Sequence, residues 1–389
     1  MAHSLQQDYG YRMKNNQKLA IGFTTGSCAA AASKAATIML ITGNEVENVK
    51  LCVPGGMTFI LKIEQVRRGV GFVECSIRKD SGDDPDVTNG IEIFSRVVDL
   101  GLKEHDSTIS IDGGIGIGRV TKPGLDQPIG EAAINHIPRK MILMEVEQVK
   151  EAYRWNHDLE VTIFAPEGVE IAKQTFNERL GIKGGISILG TSGIVEPMSE
   201  QALIDSIAIE IKQQLILYPD QLFFTPGNYG ADFCMQTYHL CMDRAIKVSN
   251  FIGDAIDTAV MNGATRILLV GHIGKLVKLA GGILNTHSKN ADCRMELLVA
   301  AMVRANVHLS LCQQVLCANT TEEAVALLIQ EGCIKEVMSE LLTRIEYYLG
   351  EKTRGKVQFG ILIFSSVYGE LIQNKEAGEM IHLFRKEEQ

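Results

Sequence analysis

The chain has 389 residues, 46% hydrophobic and 22% charged, with a formal net charge of −9; that length asks for two cores and that composition is globular and soluble. No apolar run approaches the roughly 20 residues of a membrane span, and the leader MAHSLQQDYGYRMKNN lacks the basic and apolar regions of a signal peptide. No basic tract offers nucleic acid a footprint, so the expectation is a cytoplasmic protein with no membrane and no nucleic-acid partner.

Residues 22–40, GFTTGSCAAAASKAATIML, run from a small-residue loop into an alanine-rich helix. Thr24, Thr25, Gly26 and Ser27 sit where free backbone N–H groups and the positive dipole end suit an anion. An ordinary N-cap is the plainer reading. Residues 48–79 alternate as strands, with Pro54–Gly55–Gly56 turning a hairpin. The loop 80–86 carries Asp80, Asp83, Asp84 and Asp86, but without the spacing of a calcium loop; turn chemistry is the alternative.

Residues 109–124, ISIDGGIGIGRVTKPG, space their glycines as GxGxG and not as the dinucleotide fingerprint GxGxxG. Arg119, Lys122, Arg139 and Lys140 make a local basic surplus, either a carboxylate-binding surface or a charge-protected strand edge. After the strand and turn LEVTIFAPEG, strands give way near 178–186 to alternating strands and helices. The predicted organisation is a strand-rich N-terminal α+β domain, 1–178, followed by a Rossmann-like parallel-sheet α/β domain, 179–389.

In that second domain Ser199 opens a helix over 200–217. Strands are expected at Leu222–Thr225, Ile246–Ser249, Arg266–Val270 and 357–364, with helices between them. Doubly wound sheets bind ligands outside the carboxyl ends of their strands. The residues falling there are Gly227, Asn228 and Gly230 after the first strand and Asn250, Gly253 and Asp254 after the second. Gly271, His272, Gly274 and Lys275 follow the third. Asp254 lies near where nucleoside-binding folds place a ribose-binding acid. No P-loop spacing is present, which disfavours phosphoryl transfer. His272 is either structural or ligand-contacting. Asn285, Thr286 and His287 are either a helix cap or site residues.

Nine cysteines are scattered without a CxxC pair, and Cys28, Cys75, Cys234 and Cys293 sit among apolar or small residues. Reduced, mostly buried thiols and no protein metal site are expected. The residues alone support a nucleoside-containing cofactor on an α/β domain, and they leave a homo-oligomer open.

The stretches GFTTGSCAAAA, DSGDDPDVT, DGGIGIGRVTKPGL, AINHIPRKMI, GISILGTSGIVEPMS, TPGNYG, SNFIGDAI and LLVGHIGKLVKLAGGILNTHS occur together and in this order. Over about residues 20–365 the chain resembles the cobalt-precorrin-5B C(1)-methyltransferases of anaerobic cobalamin biosynthesis. The resemblance implies methyl transfer from S-adenosylmethionine to C-1 of a cobalt-containing tetrapyrrole, giving cobalt-precorrin-6A, with the cobalt belonging to the substrate. It implies that the glycine and polar set Gly227, Asn228, Gly230, Asn250, Gly253, Asp254, Gly271 and Gly274 holds the cofactor. Thr24–Ser27, Arg119, Lys122, Arg139, Lys275 and Asn285–His287 would receive the macrocycle and its carboxylates. His272 is the expected base, if one is needed. Two other readings compete, a nicotinamide-dependent oxidoreductase and a non-catalytic tetrapyrrole carrier. Binding of NAD(P) without S-adenosylmethionine would favour the first; macrocycle binding without methyl transfer would favour the second.

Overall fold

The computed structural model describes residues 9–14, 16–102, 107–175 and 177–385, leaving aside the side chains of residues 228, 229, 231 and 232. The chain divides into two compact units, Met1–Ser199 and Glu200–Gln389. Residues 179–199, expected in the second domain, belong with the first. Ile182–Lys183 pairs with Arg119–Val120, Gly185–Ile186 with Gly116–Ile117, and Ile194–Val195 with Gly22–Phe23. The apolar, glycine-flanked run GGISILGTSG therefore holds the short strand Gly185–Ile186, and together with the strands on either side of it stitches the first unit with no helix between them.

The first unit is built on the helix Thr25–Thr42. Ala29, Ala30, Ala31, Ala32, Ala35 and Ala36 are all fully buried, because a helix without bulky side chains can lie close to neighbours on several sides. It packs against the strands Phe72–Arg78 and Glu92–Leu102 and the helix His136–Tyr153. Two of its buried hydroxyls are satisfied within the helix, Ser33 Oγ donating to Ala29 O at 2.8 Å and Thr37 Oγ1 to Ser33 O at 2.7 Å. The sheet runs Val66–Gly69, Phe72–Arg78, Glu92–Leu102, His157–Phe164, Ile109–Gly113; the last pair is parallel and the rest antiparallel. The helix His136–Tyr153 stands where the sequence reading assigned no element. Its buried face, Met141, Ile142, Glu145, Val146 and Val149, has helical spacing.

The second unit holds a five-stranded sheet in the order Ala245–Lys247, Gln221–Thr225, Arg266–His272, Gln358–Ser365, Gly369–Gln373. The first four strands are parallel and the last is an antiparallel edge. Both faces are covered, so the strands read as unbroken apolar runs. Phe224, Ile267, Leu269, Ile361 and Ile363 face a core that includes Ile211, Ile256, Leu341 and Ile345 from helices. Phe223, Leu268, Val270, Leu362 and Phe364 face Cys234, Met380 and Phe384. The chain leaves Gln221–Thr225 on one side to form Ala245–Lys247, then crosses back to form Arg266–His272 on the other. Strand order thus reverses between Gln221–Thr225 and Arg266–His272, and sheets of this kind bind ligands outside the carboxyl ends of their strands at such a reversal. Among the described residues no helix is long and apolar enough to cross a membrane.

Candidate functional site

The reversal point is lined by two short loops. Pro226–Gly227 follows the strand Gln221–Thr225 and leads into the helix Asn228–Tyr238. Gly227 has φ 108° and ψ −177°, a conformation open in practice only to glycine. Among the described residues, a side chain there would meet only the end of Lys275, with Nζ 3.5 Å from the Cβ position. The other candidate glycines are consumed by packing. A Cβ on Gly271 would lie 2.8 Å from Leu276 Cγ and 2.9 Å from Pro226 Cγ; one on Gly253, 3.0 Å from Leu284 Cβ; one on Gly230, 3.2 Å from Val270 O. A Cβ on Gly274 would sit 3.1 Å from His272 Nδ1. These four hold the loops together from behind, and Gly227 is the one that faces space. Asn228 begins the next helix, and its side chain lies outside those described.

His272 ends its strand and caps the turn Ile273–Leu276. Its Nδ1 accepts from Gly274 N at 3.0 Å, so the proton sits on Nε2, which faces Glu322 Oε1 at 2.7 Å. Glu322 also accepts from Ser365 Oγ and Ser366 N. The expected base is thus occupied at both ring nitrogens: the geometry makes His272 a positioning residue, fixing the Gly274–Lys275 turn. Sequence reasoning passed over Glu322 because it looked like one more acid in a helix first turn. The capping box beside it was visible, Thr320 Oγ1 accepting from Glu323 N at 3.2 Å.

Lys275 reaches past the end of Gln221–Thr225 to the loop after Ala245–Lys247, donating from Nζ to Ser249 O at 3.2 Å. Burial, then the charges of Lys247 and Lys278, hold its ammonium below the usual lysine range. Asn250 and Thr286 are joined twice, Thr286 N to Asn250 O at 3.0 Å and Thr286 Oγ1 to Asn250 Oδ1 at 3.3 Å. Gly253 N donates to Leu284 O at 3.1 Å, and Phe251 bridges Asn285. The cluster Asn285–His287, expected on the macrocycle side, therefore lies on the same loops as Asn250 and Gly253. Asn285 Oδ1 and His287 Nδ1 cap local turns by accepting from His287 N and Lys289 N, both at 3.1 Å. Asp254 is exposed in the first turn of Ile252–Met261.

In the first unit the expected anion site at Thr24–Ser27 lies at a buried helix start. Thr24, Thr25 and Ser27 are buried, and three of the helix-start N–H groups have partners within the unit. Gly26 N donates to Leu189 O, Ser27 N to Thr24 Oγ1, and Cys28 N to Thr24 O. Ser27 Oγ donates to Gly193 O at 2.7 Å, and Gly26 lets Pro138 approach. The plainer N-cap reading describes this helix start.

The basic surplus is also compensated from within. Arg119 makes a two-pronged pair with Asp112 at 2.7 and 2.8 Å. Arg139 donates to Ile111 O and Ile134 O, and Lys122 to Arg179 O. Arg119 and Arg139 do meet around Ile111–Gly113, Arg119 donating to Gly113 O and Arg139 to Ile111 O. The acidic loop is similarly employed: Asp86 holds buried Lys79 at 2.6 Å, Asp83 accepts from Ala20 N, and Asp84 from Met198 N.

The thiols divide. Burial pushes Cys28, Cys75 and Cys234 up to about 12. Cys293, expected among the buried ones, is exposed.

The polar groups gathered at the reversal point are thus a glycine facing space, Gly227, a lysine without a carboxylate partner among the described residues, Lys275, and an exposed carboxylate in the first turn after the next strand, Asp254.

The CbiD family profile matches residues 12–197, and that of the CbiD C-terminal domain matches 285–375. A cobalt-precorrin-5B C(1)-methyltransferase from Alkaliphilus metalliredigens is 46% identical over 377 residues, 97% of this chain and 98% of that one. One from Ruminiclostridium cellulolyticum is 44% identical, with 92% of each chain covered. A third, from a Thermoanaerobacter species, is 43% identical over 95% of this chain and 99% of that one. A crystal structure of the cobalamin biosynthesis protein cbiD from Archaeoglobus fulgidus is 29% identical, covering 72% of this chain and 86% of that one with a TM-score of 0.39; a likeness at that score carries no structural weight. The first unit coincides with the first matched region, the second matched region lies wholly in the second unit, and the chain belongs to the CbiD family.

Proposed function

We propose that this chain transfers a methyl group from S-adenosylmethionine to C-1 of cobalt-precorrin-5B, giving cobalt-precorrin-6A in anaerobic cobalamin biosynthesis. The reading is carried by the shared name of relatives aligned over nearly their whole length. S-adenosylmethionine belongs at the reversal point of the second unit, a Rossmann-like position, where Gly227, Asn250, Asp254 and Lys275 would hold it. When bound, it supplies an electrophilic methyl on a sulfonium.

The chain's own share is alignment and exclusion of water. The His272–Glu322 pair fixes the turn that carries Lys275, and Gly271 lets the two loops close on each other. In the first unit, the macrocycle side of this reading, Arg119 keeps 42% of its side chain exposed, so an acetate or propionate can reach it beside Asp112. The cobalt arrives with the substrate. Purified protein given cobalt-precorrin-5B and methyl-labelled S-adenosylmethionine should place the label on C-1. Macrocycle binding without label transfer would refute the assignment.

A further inference from the structure

Among the described residues, Lys275 is a part-buried cation of the reversal point with a single hydrogen-bond partner. Its neighbour in sequence, Lys278, is fully buried but has two carbonyl partners, Thr286 O at 3.1 Å and Ala291 O at 2.8 Å. Lys275, half-buried, has one, Ser249 O at 3.2 Å, although an ammonium carries three donors. The charges felt by it are those of Lys247 and Lys278, both positive. A cation drawn out of water and surrounded by like charge is costly unless something negative completes it.

The backbone confirms the direction in which completion can come. Lys275 Nζ stands over Gly227, the glycine whose conformation leaves the reversal point open, and bridges to Ser249 at the end of the next strand. It thus joins the carboxyl ends of two adjacent parallel strands, where this sheet topology places ligands. Burial lowers its proton affinity, as expected of an ammonium awaiting its anion.

We propose that Lys275 is the anchor for a ligand carboxylate at the reversal point, foremost the amino-acid carboxylate of S-adenosylmethionine. The inference rests on the cofactor position given above. The acidic side chains of the macrocycle carry the same group, and the test separates the two sources. A charge-assisted contact of this kind corresponds to about 10- to 100-fold in affinity.

The experiment is calorimetric titration of the whole protein with S-adenosylmethionine and with its decarboxylated analogue, in wild type, Lys275→Met and Lys275→Arg. Macrocycle binding is followed in parallel by its visible absorption. Wild type should prefer the carboxylated ligand by at least about 10-fold. In Lys275→Met that preference should collapse towards one, with the analogue's own affinity unchanged, and Lys275→Arg should keep part of it. A Lys275→Met variant that instead weakens only the macrocycle by about 10-fold or more assigns the lysine to the macrocycle's carboxylate. Equal loss for both nucleosides, or no loss for any ligand, overturns the proposal. If wild type takes up no S-adenosylmethionine, the cofactor position itself fails, and the macrocycle titration alone decides Lys275. The Lys275→Arg variant guards against misfolding, since it keeps the charge and the length.

Discussion

His272 Nε2 and Glu322 Oε1 lie 2.7 Å apart and tie the end of a central strand to the first turn of a helix fifty residues later. Glu322 accepts at the same time from Ser365 and Ser366 at the end of the adjacent strand. One carboxylate therefore gathers two strand ends and a helix start behind the proposed ligand crevice.

Removing it leaves three donors without their acceptor. Glu322→Ala should lower stability by about 2–3 kcal/mol, measured by urea denaturation, and should raise hydrogen exchange at Gly274 and Ser366. A midpoint equal to that of wild type would mean the network does not hold these strand ends together.

The pair Lys79–Asp86 makes the acidic loop pH-sensitive. Burial works to raise the Asp86 pKa, but the charge and hydrogen bond of Lys79 and the bonds from Thr88 outweigh it and hold it below the usual range. A carboxyl depressed on folding stabilises above its unfolded pKa of about 4 and loses that contribution as pH falls through the folded value. Asp86→Asn should cost about 3 kcal/mol at pH 7, and the gap to wild type should close below about pH 4. A gap that is constant from pH 7 to pH 3 would contradict the pairing.

Gly271→Ala forces a Cβ into Leu276 and Pro226. The loops must part, at a cost of about 1–3 kcal/mol, and S-adenosylhomocysteine should bind at least several-fold more weakly. Unchanged binding in a destabilised protein would separate the packing of these loops from ligand recognition.

Thiol labelling of the native protein should be fast at the exposed Cys52, Cys293 and Cys317 and slow at Cys28, Cys75 and Cys234. The buried three have both poor access and thiols pushed up to about 12. Peptide mapping after brief alkylation reads this directly; early modification of Cys28 would show that the alanine helix opens.

The parallel sheet was legible because both of its faces are covered: Leu222–Thr225, Arg266–Val270 and 357–364 announce themselves as apolar runs ending in glycine and polar loops. Its antiparallel edge, Gly369–Gln373, was not, since its exposed and half-buried residues carry no such run. The helix His136–Tyr153 was hidden by Pro138 in its first turn and by buried Glu145 and Lys150 on its core face, which blur the apolar period. In the site, glycine positions were readable but their occupations were not. Gly227 and Gly271 look alike in sequence, yet one faces space and the other faces Leu276 and Pro226. The surroundings of Thr24–Ser27 were hidden for a related reason. Whether helix-start donors are free depends on residues 187–193, more than 160 positions away.

The central claim is the location of the cofactor at the strand reversal of the second unit. Hydrogen–deuterium exchange with and without saturating S-adenosylhomocysteine tests it most directly. Protection should appear at 226–231, 249–254 and 271–276. Protection confined to the first unit, around 24–28 or 112–122, would contradict the assignment.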